Sequence, residues 1–478
     1  MVNNMSNADS WTRKIELGLY RAAGASAVIG YPLRWEKLEI DENRSLWASY
    51  TPDYQPNSPL TGPEMADLCI IGGGYTGIST AYHFNQRFPE KRVVLLEAKA
   101  LANGASGRNG GMMLNWIYGV GHMSAEMTAR VYNATHQTIN SIEQIIQTHN
   151  LDVSYRRDGC FEVFTDEQRA IEAKEEVAYL NSIGVPVQFW DAAQVRQKLN
   201  LNGIYGGLFD PSEGQLNGVQ FIRGLRSVLE ARGVKIYEGT AVTKITEGPT
   251  IEVATANGTV KAKAIVLATN GYTGKLGYFR KAFFPLHSHV FATDPLSDDT
   301  ARQLGWHGTA GFSDDLNRIS YATRTREGHI VFGGGSNISY AYLWNNRTAF
   351  PGTPDSANPA FNEMQQTMGQ YLTGSGSLRR AYRWTGTLAI TMRRNCFMGV
   401  RGDYNNVYYA LGYSGHGVTA ANMAGKVLTD IYSGSDEQWR GLPFIGEDYS
   451  PVPLDPFRWM GYQMMTRLTG RSPREPHR

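Results

Sequence analysis

The chain lacks the features that mark secreted, membrane-spanning or nucleic-acid-binding proteins. It has three cysteines, Cys69, Cys160 and Cys396. Their odd number, wide spacing and lack of a C-x-x-C pair argue against a disulfide framework or a zinc site, and for a reducing compartment, the cytoplasm. No run of 18 or more apolar residues occurs, and the first 35 residues lack the charged-then-apolar order of a secretory signal. Net charge is only +2, from 46 basic and 44 acidic residues, which gives no global reason to expect nucleic acid or another polyanion. The last segment, FRWMGYQMMTRLTGRSPREPHR, is locally basic all the same. There is no internal repeat, no low-complexity segment and no metal-ligand spacing, so no metal is expected.

What the chain does carry is the stretch DLCIIGGGYTGISTAYHFNQRFPEKRVVLLEAKALANGASGRNGG, from Asp67 to Gly111. Asp67 to Ile71 reads as a buried strand, Gly72, Gly74 and Gly77 follow as G-x-G-x-x-G, and Tyr75 to Phe88 reads as a helix. With 52 glycines in 478 residues the bare glycine pattern decides nothing. Context decides: a second strand, Val93 to Leu96, comes next, and Glu97 stands 20 residues beyond Gly77, where an acid can accept from a ribose hydroxyl. Tight turn, close backbone approach and helix N-terminus together bind a pyrophosphate, so the chain is expected to bind a dinucleotide.

At 478 residues the chain exceeds one comfortable core, and two interleaved or sequential domains are expected. Pro52, Pro56, Pro59 and Pro63 read as an extended linker, with the folded body beginning near Ala66. Helices are expected over Ser124 to His149, Asp166 to Ile183, Val219 to Arg232 and Val418 to Tyr432. Phe161 to Phe164 begins a less regular region, and strands are expected over Lys235 to Tyr237, Ala241 to Ile245 and Val407 to Leu411. A hairpin, Thr250 to Val253 with Thr259 to Lys261, turns at Asn257-Gly258, and a separate buried strand follows at Ala264 to Ala268. From Pro285 to Phe332 strand-like runs alternate with polar turns, which suits an antiparallel sheet in a second domain. Trp11 to Ala27 and Phe457 to Leu468 have amphipathic spacing. Both are expected to dock on the protein's own body in preference to a membrane surface.

Taken in order, GGGYTG, Glu97, GASGRNGG and ALGYSGHGVTAANMAGKVL resemble the D-amino-acid oxidase superfamily of FAD oxidoreductases, in particular its glycine and sarcosine oxidase group and the enzymes of γ-glutamylputrescine oxidase type. The resemblance runs from about Ala66 to Tyr432. It implies an α/β fold in which a Rossmann-like FAD-binding domain with a parallel sheet (66–155, 215–282 and 385–435) is interleaved with an α+β substrate domain built on an antiparallel sheet (156–214 and 283–384). An extension, 1–65, precedes them and a tail with an amphipathic helix, 436–478, follows.

By position, the resemblance implies that Gly72, Gly74, Tyr75, Thr76 and Gly77 form the pyrophosphate loop and that Glu97 holds the adenosine ribose. It implies that Ala105, Ser106, Arg108, Asn109, Gly110 and Gly111 line the pyrophosphate and flavin edge, and that the backbone of Val242 meets adenine. Gly412, Ser414, Gly415, His416, Gly417, Val418 and Thr419 would meet the flavin pyrimidine, where a helix N-terminus stabilises negative charge. His416, Trp384 and Tyr321 are the candidate catalytic residues, and Arg324 the candidate substrate carboxylate clamp.

Three departures qualify the likeness. Sarcosine oxidases carry a substrate-holding lysine where this chain has Thr419. Their flavin-bearing cysteine would fall near Thr387, and GASGRNGG contains no histidine, so the FAD is expected to be noncovalent. No lysine stands in HSHVFATDPLSDD, where those enzymes place an oxygen-activating ammonium. The resemblance implies an amine oxidase that transfers hydride from a primary or secondary amine, such as a γ-glutamylated or other ω-amine, to flavin N5. An imine then hydrolyses to an aldehyde or keto product, and dioxygen or another acceptor takes the electrons. The alternatives are an amino or imino acid dehydrogenase with a non-oxygen acceptor, and a noncatalytic flavin-binding subunit.

Overall fold

The computed structural model of the protein describes residues 45–116, 123–344, 347–348 and 358–470. The Trp11 to Ala27 segment lies outside the described residues. One large sheet has at its centre five parallel strands in the order Val407–Leu411, Gly258–Leu267, Gly62–Ile71, Val93–Leu96, Lys235–Tyr237. Ile71 is paired with both Leu96 and Leu267, so these strands end in register. Every loop that leaves a carboxyl end therefore emerges along one edge, the side on which open α/β sheets bind ligands.

Sequence explains the strand types. The Gly62–Ile71 strand opens with exposed residues and closes on an uninterrupted buried run, Ala66 to Ile71, as a strand covered on both faces requires. Helices Tyr75–Arg87, Ala125–Thr148, Gly218–Ala231 and Gly417–Ser433 cover it. Ser124 and Asn217 cap two of them, accepting from Met127 N, and from Val219 N and Gln220 N. The helices Tyr75–Arg87 and Gly417–Ser433 lie in close contact: Ser79 Oγ donates to Asn422 O at 2.6 Å, and a Cβ on Gly425 would come within 2.3 Å of Ser79 Oγ.

A second, nine-stranded, mostly antiparallel sheet stands over the carboxyl edge. Its long strand Phe284–Thr293 pairs with Arg380–Ile390 on one side and with Ile330–Gly334 and Tyr340–Tyr342 on the other. Ser320–Arg324, Gly311–Asp314, Cys160–Phe164 and Gly206–Asp210 continue it. One face carries Phe291, Ile330 and Phe332 into a core with the helix Asn358–Tyr371. The opposite face carries Val290, Ala292, Val331 and Trp384 toward the flavin-type domain and shares that domain's core.

Four expectations are corrected here. Residues 45–65 are not a loose linker: Leu46 and Trp47 are fully buried, and Tyr54 Oη and Asn57 N both donate to the buried carboxylate of Glu238 at 2.8 Å. The strands expected at Thr259–Lys261 and Ala264–Ala268 are one strand, Gly258–Leu267, antiparallel to Ile251–Thr255 at its start and parallel to Gly62–Ile71 throughout. A domain break at residue 385 falls inside the Arg380–Ile390 strand, which belongs to the antiparallel sheet along its whole length. Finally, the stretch after residue 435 begins as core: Trp439, Leu442 and Phe444 are buried, and Phe444 O accepts from Met398 N.

Candidate active site

The sequence motifs meet along the carboxyl edge of the parallel sheet. The strand Gly62–Ile71 ends at Gly72, whose φ of 110° takes the chain into a turn that a side chain resists. Helix Tyr75–Arg87 starts directly after Gly74, which has no side chain to cap it. Ser106 Oγ accepts from Tyr75 N at 3.0 Å, joining the second glycine-rich loop to the helix end. A Cβ at Gly77 would stand 1.9 Å from Gly72 O, so only glycine permits this approach of helix to turn. Thr76 lies buried in the first turn, its Oγ1 2.6 Å from Tyr413 Oη.

Glu97 closes the Val93–Leu96 strand at the same edge. Its carboxylate accepts from Gly73 N at 2.8 Å and from Lys99 N at 2.9 Å, so the acid is fixed against the turn. Burial pushes its pKa up, the two N–H donors oppose that rise, and the charge of Glu238 adds to it. A ribose hydroxyl donating here would add a bond that favours the charged form. Thr240 N donates to Glu97 O, which holds the chain entering the Val242–Thr246 strand beside it. Val242 therefore starts its strand close to Glu97.

The loop Ala105–Gly111 folds on itself. Asn109 Nδ2 donates to Ala105 O and Ser106 O, while Asn109 Oδ1 accepts from Gly111 N at 2.7 Å. Arg108 is buried, with Nε on Asn103 O and Nη1 on Thr385 O. From outside, Trp47 Nε1 donates to Asn109 O at 2.7 Å, and its ring packs where a Cβ of Gly111 would be, 3.1 Å away. Trp47 was invisible to motif reading, because only the tertiary structure brings it to Asn109.

The last loop, Gly412–Gly417, links the two sheets. Gly412 N donates to Asn270 Oδ1, Ser414 N to Ala389 O, and Ser414 Oγ accepts from Thr391 N. Gly415 is exposed at the tip. His416 is half-buried at the N-cap of helix Gly417–Ser433 and gives it no side-chain cap. Val418 and Thr419 are buried in the first turn, and the Thr419 hydroxyl has no hydrogen-bond partner there. Through Thr76 and Tyr413 this helix end adjoins the first one, so two partial positive charges converge.

The antiparallel sheet brings only part of the expected catalytic set to this edge. Tyr321 is there, half-buried, with its ring over Gly110 and Gly333 and its phenol facing Ser288. Burial pushes its pKa up to about 12, so it stays a neutral phenol at ordinary pH. Thr323, on the same face of the strand, donates to Gly110 O at 2.8 Å. Arg324 is one residue out of phase. Its guanidinium pairs with Asp298 at 2.6 Å, which corrects its assignment as a clamp on this face. Trp384 is 1% exposed and its Nε1 donates to Arg108 O at 2.9 Å: it buttresses the loop rather than facing substrate as expected. Ser288, beside the Tyr321 phenol, and Tyr413, in the last loop, join the site without having been singled out.

These residues fit an FAD. They offer two uncapped helix ends for a pyrophosphate and a pyrimidine, an anchored acid for a ribose, an unpartnered buried hydroxyl at Thr419, and glycines where backbone and cofactor must approach closely.

Comparison with known proteins agrees. The family model for FAD dependent oxidoreductases, DAO, matches residues 67–431. Gamma-glutamylputrescine oxidoreductase of Escherichia coli is 29% identical over 443 residues, spanning 90% of this chain and 99% of that protein. Among solved structures, glycine oxidase from Geobacillus kaustophilus superposes with a TM-score of 0.65 at 17% identity, covering 78% of this chain and 95% of its own. L-proline dehydrogenase from P. horikoshii superposes with a TM-score of 0.67 at 19% identity, covering 80% and 96%. The chain belongs to the DAO family of FAD dependent oxidoreductases.

Proposed function

We propose that the protein is an amine oxidase that holds its FAD noncovalently and acts on a primary or secondary amine, with an ω-amine bearing a polar, γ-glutamyl-like far end as the leading candidate. The observation that carries this reading is the inner face of the second sheet. Tyr321 and Ser288 lie at the cofactor edge, Val290 and Val331 are buried behind them in the core shared with the cofactor domain, and none of these side chains is charged. A partly dry surface of this kind disfavours an ammonium and lowers an amine's pKa, supplying the neutral amine that the reaction consumes. Bound FAD supplies the two-electron acceptor that takes a hydride from the carbon bearing nitrogen and later yields its electrons to dioxygen, giving hydrogen peroxide.

The chain's own groups orient and polarise. The Gly417–Ser433 helix end with Thr419 would stabilise negative charge growing on a bound flavin, and His416 is the N-cap residue of that helix. The phenol of Tyr321, beside Ser288, can donate to or accept from a substrate polar group without ionising. Thr387, near where a flavin-linking cysteine would fall, donates its hydroxyl to Thr348 O, which supports noncovalent attachment. The γ-glutamyl preference rests on the likeness to gamma-glutamylputrescine oxidoreductase. A second reading, electron delivery to an acceptor other than dioxygen, is favoured by the lack of any lysine along Phe284–Thr293.

The test is an anaerobic visible spectrum of the purified protein before and after addition of γ-glutamylputrescine, short diamines, sarcosine and glycine. Bleaching of oxidised flavin by an ω-amine is expected. Flavin that no amine bleaches refutes the proposal, and fast bleaching with slow reoxidation in air moves the acceptor away from dioxygen.

A further inference from the structure

The inner face of the antiparallel sheet continues past Tyr321 as a row. Tyr321 lies opposite Ser313, Ser313 opposite Glu162, and Glu162 opposite Leu208, across four neighbouring strands. Directly opposed residues share a face, so all four stand on the face that carries Tyr321 to the cofactor edge. In each strand the residues before and after the row are buried, whereas the row itself is only half-buried. Of those flanking residues, Phe161, Val163, Phe209 and Phe312 turn the other way, into the core with the helix Asn358–Tyr371. The row is therefore a trough that begins beside Tyr321 and crosses the strands.

One member of the row is charged. Glu162 stands two strands from Tyr321, about 10 Å between Cα atoms at the usual strand spacing. Two buried carboxyl groups feel its charge. Asp315 accepts from Thr165 N and Thr165 Oγ1 through Oδ1 alone, and its buried Oδ2 has no hydrogen-bond partner. Burial pushes the pKa of Asp315 up, the Thr165 bonds oppose that, and the charge of Glu162 adds to the rise. Burial likewise raises Glu213, and the charges of Asp210 and Glu162 add to it. Acids thus crowd the far end of the trough. A cation arriving there would relieve the repulsion and give Asp315 Oδ2 a donor.

Resting on the amine-oxidase reading above, we propose that Glu162, with Asp315 beside it, holds a second ammonium group of the substrate, on the order of 10 Å from the amine being oxidised. The substrate is then a long dicationic amine, either a γ-glutamyl amine with its α-ammonium at this end or a long diamine. The test uses the flavin-loaded full chain and pairs of amines that differ in the second charge: γ-glutamylputrescine against its α-N-acetyl derivative, and diaminooctane against octylamine. Anaerobic stopped-flow bleaching over a range of concentrations gives the apparent affinity of each. The dicationic member of at least one pair is expected to bind about 10- to 100-fold more tightly, and the pair that shows this names the source of the second charge. Glu162→Gln should erase the preference by weakening the dicationic amine alone, with flavin content unchanged. Glu162→Asp keeps the charge and should keep part of the preference. No preference in either pair, or a preference that survives Glu162→Gln, overturns this inference and leaves the amine-oxidase reading standing. Flavin that none of these amines bleaches removes that reading, and this one with it.

Discussion

Trp47→Phe is the sharpest perturbation of the site, because it removes one hydrogen bond from the loop Ala105–Gly111 and leaves the packing nearly intact. The loop's turn is closed by Asn109 from within, but Asn109 O is held from outside by Trp47 Nε1 at 2.7 Å. Losing a neutral hydrogen bond costs about 0.5–1.5 kcal/mol, and leaving the carbonyl unsatisfied raises the cost to about 2 kcal/mol. Trp47→Ala would confuse the test, since truncating a fully buried tryptophan adds roughly 3–5 kcal/mol of lost packing. If the loop must hold its shape to receive FAD, the cost of re-forming it falls on binding. The dissociation constant of FAD from the apoprotein should then rise between about threefold and thirtyfold. Titration of apoprotein with FAD, followed by flavin fluorescence, measures the constant, and urea unfolding of the apoprotein reports the stability loss separately. An FAD affinity within about twofold of the original, alongside a clear loss of stability, would show that Trp47 braces the fold and not the cofactor loop.

Glu97→Ala removes the acid anchored by Gly73 N and Lys99 N, and FAD should bind about 10- to 100-fold more weakly; unchanged affinity by the same titration makes the ribose assignment wrong. His416→Ala should slow flavin reduction by roughly tenfold or more while changing amine affinity little, read by anaerobic stopped-flow, and equal reduction rates remove His416 from the chemistry. His287 is fully buried, and burial lowers its pKa to about 4. The unfolded chain therefore binds a proton before the folded one does, and stability falls as pH drops from about 6.5 toward 4. At pH 5 this residue alone should cost about 2 kcal/mol relative to pH 7. The loss should be missing from the pH 7 to pH 5 difference of a His287→Gln variant in urea unfolding, and an identical difference in both proteins would refute the assignment.

Local pattern told most about the cofactor half. Val93–Leu96 and Val407–Leu411 are short apolar runs with clear ends, Lys235–Tyr237 follows a glycine turn, and each forms a strand over those same residues. Ser124 and His149 bound the long helix as its caps. The continuous strand Gly258–Leu267 looked like two because its environment changes midway. Lys261 and Lys263 alternate outward with buried Val260 and Ala262, and beyond Ala264 every residue is buried. A period of two becoming an unbroken run resembles a break, although the backbone never turns. The substrate half was less legible, because its residues are chosen by register. Tyr321 and Arg324 are three apart, so strand alternation sends them to opposite faces, and only sheet pairing tells which face meets the cofactor. Trp384 carries the same lesson, since its indole N–H meets Arg108 O across 276 residues.

The two halves also divide the chemistry. The cofactor edge gains its positive potential from two helix ends, held together by Thr76 and Tyr413, and the last-loop helix starts without a charged residue at position 419. An enzyme with a lysine there would bring a full charge to a substrate carboxylate, a charge-assisted bond of about 1.5–3 kcal/mol. Thr419 offers one buried hydroxyl instead. Arg324 does not replace that charge, because Asp298 already holds it on the other face of the sheet. On the proposed reading, with Tyr321, Ser288, Val290 and Val331 all uncharged on the inner face, little at this edge would reward a carboxylate next to the reacting carbon. On that reading, specificity would come from the part of the substrate that reaches beyond Tyr321. An amine whose polar group lies far from its nitrogen is therefore expected to bleach the flavin faster than glycine or sarcosine.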